Sequence, residues 1–117
     1  YRMFESDGYS MHPTINDKDI VVCSAVENPS YLPKNCICVV VSHNEGIVLK
    51  RILRTKQEPN VLVLSSDNHA QSNNYPPISI ELSEVKEIWQ VEYLLTKHIS
   101  TGPSPDHTLE DINTRLT

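Results

Sequence analysis

Apolar residues in this chain gather in short runs of strand length. The clearest are Asp19–Val26 (DIVVCSAV), Cys36–His43 (CICVVVSH), Gly46–Leu53 (GIVLKRIL) and Val61–Ser66 (VLVLSS), all rich in Val, Ile or Leu. Turn-forming stretches separate them: ENPSYLPKN, HNEG and QEPN. Short strands recurring about every ten residues predict an all-β or β-dominated domain. HNEG is short and ends in glycine, so CICVVVSHNEGIVLKRIL reads as a β-hairpin. YRMFES alternates in the manner of a short first strand, and ISIEL resumes strand character after the loop SDNHAQSNNYPP.

Two segments read differently. In EVKEIWQVEYLLTKHI, Val85, Ile88 and Trp89 fit one helical face, whereas Trp89, Val91, Tyr93 and Leu95 alternate as in a strand; periodicity leaves both open. Beyond it, STGPSPDH has linker composition, and TLEDINTRLT places Leu109, Ile112 and Leu116 at helical spacing after Ser104 or Asp106 as caps. The expected organisation is one domain over residues 1–97, then a linker and the start of a C-terminal helix over 98–117.

Composition narrows the class. A chain of 117 residues with 38% hydrophobic and 21% charged residues has the make-up of a single folded domain with its own core. No apolar run approaches the roughly 20 residues needed to cross a bilayer, and the N-terminus lacks the basic-then-apolar order of a signal peptide, so a cytoplasmic protein without membrane contact is expected. The abrupt start without methionine reads as a piece of a longer protein. A net charge of −5 disfavours direct binding of a polyanion, which rests on Lys and Arg neutralising phosphates. Cys23, Cys36 and Cys38 are odd in number, and the C-x-C pair is too closely spaced for the usual zinc knuckle. They read as reduced core thiols, with no metal and no cofactor implied.

The chemistry centres on GYSMHPTINDKDIVV, residues 8–22. A serine hydroxyl is a weak nucleophile at neutral pH, so a catalytic Ser10 needs a base to take its proton. Five histidines are present, His12, His43, His69, His98 and His107, but no acid is visibly placed to orient any of them. Lys50 is the better candidate. Strand alternation puts it on the same face as Val48 and Ile52, among apolar neighbours, and desolvation lowers a lysine pKa toward a neutral base. The bland alternatives are a turn hydroxyl for Ser10, and for Lys50 a stem that reaches solvent or pairs with a carboxylate.

Taken together, Ser-Met-x-Pro-Thr at Ser10–Thr14, the acid Asp19 before an apolar strand, and Lys50-Arg51 in a hairpin about 40 residues after the serine resemble the LexA-type serine peptidase family. That family includes the C-terminal domains of LexA, lambda-type phage repressors and UmuD. The resemblance runs from about Phe4 to Leu95. It implies a β-clip fold of short, strongly bent strands, makes residues 84–95 a terminal strand, and assigns Ser10 as nucleophile and Lys50 as general base. The backbone N–H groups of Ser10 and Met11 match the oxyanion donors. Two positions depart from the family pattern: Tyr9 stands where an acid is common, and Lys18 where glycine precedes Asp19.

By this resemblance the chain is the self-cleaving and dimerisation domain of a helix-turn-helix repressor of phage or SOS type. It implies a homodimer, stimulation by a RecA-type filament, and operator DNA held only through a separate N-terminal domain. The bond to be cut lies upstream of Ser10. Two alternatives remain: a non-catalytic dimerisation or sensing module, and the soluble part of a type I signal peptidase-like enzyme, which shares Ser-Met-x-Pro-Thr and Lys-Arg. Against the last, KRILRTKQEPN lacks the Pro-Gly-Asp that commonly follows the Lys-Arg pair of those enzymes. Arg51 reads as a structural partner of a carboxylate, Asn68 as part of a β-turn or a lining residue of the substrate cleft, Asp19 as a brace of the serine loop or a solvated acid, and Trp89 and Tyr93 as core or dimer-interface residues.

Overall fold

The computed structural model of the chain describes residues 1–54 and 57–96. Within them lie seven strands: β1 (Arg2–Glu5), β2 (Ile20–Ala25), β3 (Ile37–Ser42), β4 (Gly46–Leu53), β5 (Val61–Ser65), β6 (Ile78–Glu81) and β7 (Val85–Leu95). All pair antiparallel in one sheet of order β1-β2-β7-β3-β4-β5-β6, curled into a half-barrel. The all-β expectation holds. So does the hairpin, which pairs Ser42 with Gly46 around a three-residue connection whose end needs the left-handed backbone of Gly46 (φ 71°). The expected C-terminal helix lies outside the described residues.

Residues 85–95, ambiguous by periodicity, form the long strand β7, inserted between β2 and β3. The ambiguity has a physical source. Pairing with β2 shifts register between Val22 and Cys23, and pairing with β3 shifts between Val41 and Ser42. A bulge moves side chains out of strict two-residue alternation, so a bulged strand reads as a mixed period.

Around β3 the sheet is buried on both faces. Cys38, Val40, Ile52, Leu62, Leu64, Ile80 and Ile88 form one cluster. Val39 projects the other way and joins Val21, Cys23, Met11 and Ile15 in a second. This explains why β3 reads as an unbroken apolar run: a strand covered on both sides gains from apolar residues at every position. The second cluster is closed by the β1–β2 connection, which sends Met11 and Ile15, each 2% exposed, into the core. Trp89 is half-buried at its margin, with its ring edge-on to Phe4 at 6.0 Å between centroids. Tyr93, by contrast, is exposed and not core.

Candidate active site

Ser10 lies on the loop that connects β1 to β2. Its neck is closed by backbone bonds from the Ser6 N–H to the Asp19 carbonyl (2.7 Å) and from the Lys18 N–H to the Ser6 carbonyl (2.8 Å). The Gly8 N–H donates to Asp17 Oδ1 at 2.7 Å, and the Ile15 N–H to the Met11 carbonyl at 2.9 Å. Asp19 is a brace, not a solvated acid: it is buried, its Oδ2 accepts the Asn16 N–H, and its Oδ1 accepts the Thr96 hydroxyl, both at 2.8 Å. Lys18 adopts φ 70°, a left-handed conformation that suits glycine, which is the residue the family pattern carries there.

A second loop, following β5, clamps the serine loop from outside. Asn68 is 6% exposed; its side-chain amide donates to the Tyr9 carbonyl (2.9 Å) and its backbone N–H to the Ser10 carbonyl (3.0 Å). The His12 N–H also reaches the Tyr9 carbonyl, at 3.2 Å. Because a trans peptide points its N–H opposite to its C=O, fixing these two carbonyls aims the Ser10 and Met11 N–H groups away from the Asn68 loop. The peptide bond between His12 and Pro13 is cis. Thus Asn68, read from sequence as part of a turn, caps the short helix His69–Gln71 and also holds the serine loop in place.

Lys50 sits on β4 opposite Cys38 of β3, on the face that carries Ile52 and the first apolar cluster. It is 8% exposed, and among the described residues it pairs with no carboxylate. Its Nζ donates to Ser66 Oγ at 2.8 Å and lies 5.9 Å from the centre of the Tyr75 ring. The pairing of Arg51 with Ser65 and Ile52 with Leu64, continued by one residue, sets Ser66 directly across from Lys50. Burial lowers the Lys50 pKa below its ordinary value, with Glu45 as a weaker opposing influence.

Next to Lys50, Arg51 turns to the other side. Its Nε and Nη2 bind Asp67 Oδ1 and Oδ2 at 2.8 and 2.7 Å, and its Nη1 donates to the Asn35 carbonyl at 2.7 Å. Asp67 Oδ2 also accepts the Thr14 hydroxyl at 2.6 Å. The Arg51 guanidinium holds the Asp67 carboxyl below the usual carboxylate range, with Thr14 adding to it. Arg51 therefore pairs with a carboxylate as expected, and the pair ties β4 to the serine loop.

Ser10 and Lys50 line one cavity of about 380 Å³, walled by Phe4, Val39, Leu49 and Ile47. Among the described residues no histidine lines it, and the His12 ring instead meets Asn16 Oδ1 at 2.7 Å. His98 and His107 lie outside the described residues. Along one side, β4 from Gly46 to Lys50 has, among the described residues, no strand partner beyond β3, because β5 pairs only from Arg51. Since the Ile52 N–H bonds to the Cys36 carbonyl, alternation turns the backbone N–H and C=O groups of Ile47 and Leu49 toward that open edge. Two participants escaped the sequence reading: Ser66, and Asp67 as the partner of Arg51 and Thr14. Both depend on the β4–β5 register, which no local pattern fixes.

Among the described residues, no helix is long and apolar enough to cross a membrane. The chain has no match among curated proteins. A family model, Peptidase S24-like, matches residues 1–91. The strands, the serine loop and the Lys50 hairpin all fall inside that span, and the chain belongs to the Peptidase S24-like family, the LexA- and UmuD-type serine peptidase domain.

Proposed function

We propose that this domain is a Ser-Lys endopeptidase that cuts its own polypeptide upstream of Ser10, as the C-terminal part of a cytoplasmic helix-turn-helix repressor. The observation that carries the reading is a buried lysine, its charged form disfavoured by desolvation, lining the same cavity as a serine on a braced loop. In the neutral amine, one N–H donates to Ser66 and the lone pair is left to accept a proton from Ser10. The Ser10 oxygen then attacks the carbonyl carbon of the scissile peptide. The resulting oxyanion is met by the N–H groups of Ser10 and Met11, and Nζ returns its proton to the departing amine. Water resolves the acyl-enzyme through the same base. The open backbone edge at Ile47 and Leu49 suits a substrate held in extended form.

The test is incubation of the full-length protein at rising pH. Cleavage that accelerates with pH and is lost in Ser10→Ala and Lys50→Ala supports the reading; an intact wild-type chain under all conditions overturns it. In the repressor reading, a RecA-type filament accelerates the same cleavage, and operator DNA is bound by a separate N-terminal domain.

A second reading, a dimerisation module, is favoured by one surface. Met3, Val22 and Tyr93 are cross-strand neighbours on the outer face of β1, β2 and β7, and Met3 and Tyr93 are 64% and 65% exposed. Exposed apolar side chains in one row suit a two-fold contact with a second copy. Sedimentation of the domain should show a dimer that Tyr93→Glu dissociates; a wild-type monomer at high micromolar concentration removes this reading. The two readings are compatible, since this row lies on the sheet face opposite to Val21, which lines the cavity.

A further inference from the structure

Cys36 and Cys38 have their sulfur atoms 3.6 Å apart, within hydrogen-bond contact of each other. Cys36 is half-buried immediately before β3, and Cys38 is fully buried two residues further on, within the strand. The hydrogen bond with Cys38 lowers the Cys36 pKa below its ordinary value, aided by the nearby Arg51 guanidinium and opposed by burial. The Cys38 thiol is pushed up, first by that same hydrogen bond and then by burial. The 3.6 Å contact thus sets the thiol whose ionisation is favoured directly against a second thiol, the arrangement in which a first oxidised sulfur is met at once by a resolving one. Cys23 differs: it lies in the other apolar cluster, and burial pushes it up to about 11.

We propose that Cys36 and Cys38 form a peroxide-oxidisable dithiol whose disulfide state is transmitted to the serine loop through Arg51 and Asp67. The Cys36 thiolate attacks one oxygen of hydrogen peroxide; an S–O bond forms, the O–O bond breaks and hydroxide leaves. The Cys38 sulfur then attacks the Cys36 sulfur; the S–S bond forms and the S–O bond breaks. The displaced hydroxide takes the Cys38 proton and leaves as water. Two thiols lose two electrons, and the peroxide is reduced by two. Neither sulfur is used by the peptidase chemistry.

Closing the disulfide brings the sulfurs from 3.6 Å to about 2.05 Å. Cys38 is held on both sides, by Lys50 in β4 and Gln90 in β7, so Cys36 has to move. Cys36 follows the Asn35 turn, where φ is 59°, and the Asn35 carbonyl accepts the Arg51 Nη1 bond. A displaced Asn35 therefore pulls on the guanidinium that holds Asp67, and Asp67 holds Thr14 of the serine loop. The consequence for Ser10 rests on the peptidase reading above; the dithiol chemistry does not.

The experiment treats reduced domain with hydrogen peroxide, blocks remaining thiols with iodoacetamide and maps the peptides by mass. The expected result is a loss of two hydrogen atoms from the peptide that contains both Cys36 and Cys38, reversed by dithiothreitol, with Cys23 still alkylated. In Cys38→Ser, Cys36 should instead persist as a sulfenic acid trapped by dimedone. Recovery of Cys36 and Cys38 as alkylated or sulfinic forms, without a disulfide, overturns the proposal. Coupling is read in two ways. Oxidation should slow labelling of Ser10 by a fluorophosphonate in the wild type but not in Cys36→Ser, and should shift the Arg51 Nε–H resonance. A disulfide that leaves this resonance unmoved overturns the coupling. A shifted resonance in a protein whose reduced form never labels at Ser10 sinks the peptidase reading alone.

Discussion

Lys50 Nζ donates a 2.8 Å hydrogen bond to Ser66 Oγ, and the two residues face each other across β4 and the end of β5. This contact orients a buried amine without supplying a counter-charge. A carboxylate in the place of Ser66 would hold the lysine protonated, whereas a hydroxyl accepts its hydrogen bond and leaves desolvation to set the pKa.

The first prediction concerns pH. Burial lowers the Lys50 pKa from 10.5, so the folded state releases this proton before the unfolded chain does. Stability from this group is therefore lowest when Lys50 is charged and rises with pH between its folded pKa and 10.5. Lys50→Met should abolish cleavage. In urea titrations it should also remove this rise, so that its stability relative to wild type falls as the pH is raised. A wild type and variant with parallel pH profiles would contradict the placement of the amine.

Ser66→Ala removes the acceptor for Nζ and no other bond identified at that hydroxyl. A hydrogen bond to a charged group is worth about 1.5–3 kcal/mol, so a base freed to rotate should slow cleavage about 10- to 100-fold. Loss of the acceptor also disfavours the ammonium, which moves the rate–pH profile to lower pH. Ser66→Thr should restore both rate and profile. Rate loss without a shifted profile would mean that Ser66 acts only in packing.

The Arg51–Asp67 pair joins side chains that are 31% and 10% exposed. Asp67→Asn keeps the shape but loses the charge, and should cost about 1–3 kcal/mol in chemical denaturation. The sign with pH follows from the lowered Asp67 pKa. Its stabilising effect is present above the ordinary value of 3.8 and is lost as pH falls through the folded value below it. Acid titrations of stability should show this loss in wild type and a flatter curve in Asp67→Asn.

Asn68→Asp separates clamping from packing. The variant retains an oxygen to accept the Gln71 N–H (3.2 Å) but turns a carboxylate oxygen toward the Tyr9 carbonyl, where an amide donated at 2.9 Å. Leaving a buried acceptor opposed by another acceptor should cost about 1–3 kcal/mol. Labelling of Ser10 by a fluorophosphonate should fall further than stability alone explains, because the same contact orients the Tyr9–Ser10 peptide. Unchanged labelling in folded Asn68→Asp would show that the clamp is dispensable.

Much of this architecture is legible in the chain. The runs that begin at Ile20, Ile37, Gly46 and Val61 became β2, β3, β4 and β5 because β-branched residues pack well on a pleated surface. The face of Lys50 also followed from alternation, since β4 carries no register shift in its pairing with β3. Residues 85–95 resisted because bulges break their period, and Tyr93 could be assigned to the core or the surface only after its position on β7 was known. Asn68 and Asp19 looked like turn residues because local composition reports the turn and not what the side chain reaches.

By itself, the sequence determined most of the strand set, the hairpin, a net negative charge, and a serine and a lysine of the type that a peptidase of this family requires. Those features are local or compositional, and local rules carry them. Only the tertiary structure decided that Ser10 and Lys50 share a cavity, that Ser66 receives Nζ, that Asp67 links Arg51 to Thr14, and that two cysteine sulfurs touch. Desolvation of one amine is the summed effect of segments far apart in the chain. The 2.8 Å contact of Lys50 with Ser66 depends on how the chain between β4 and β5 sets the register. Neither quantity is written in any single stretch of residues.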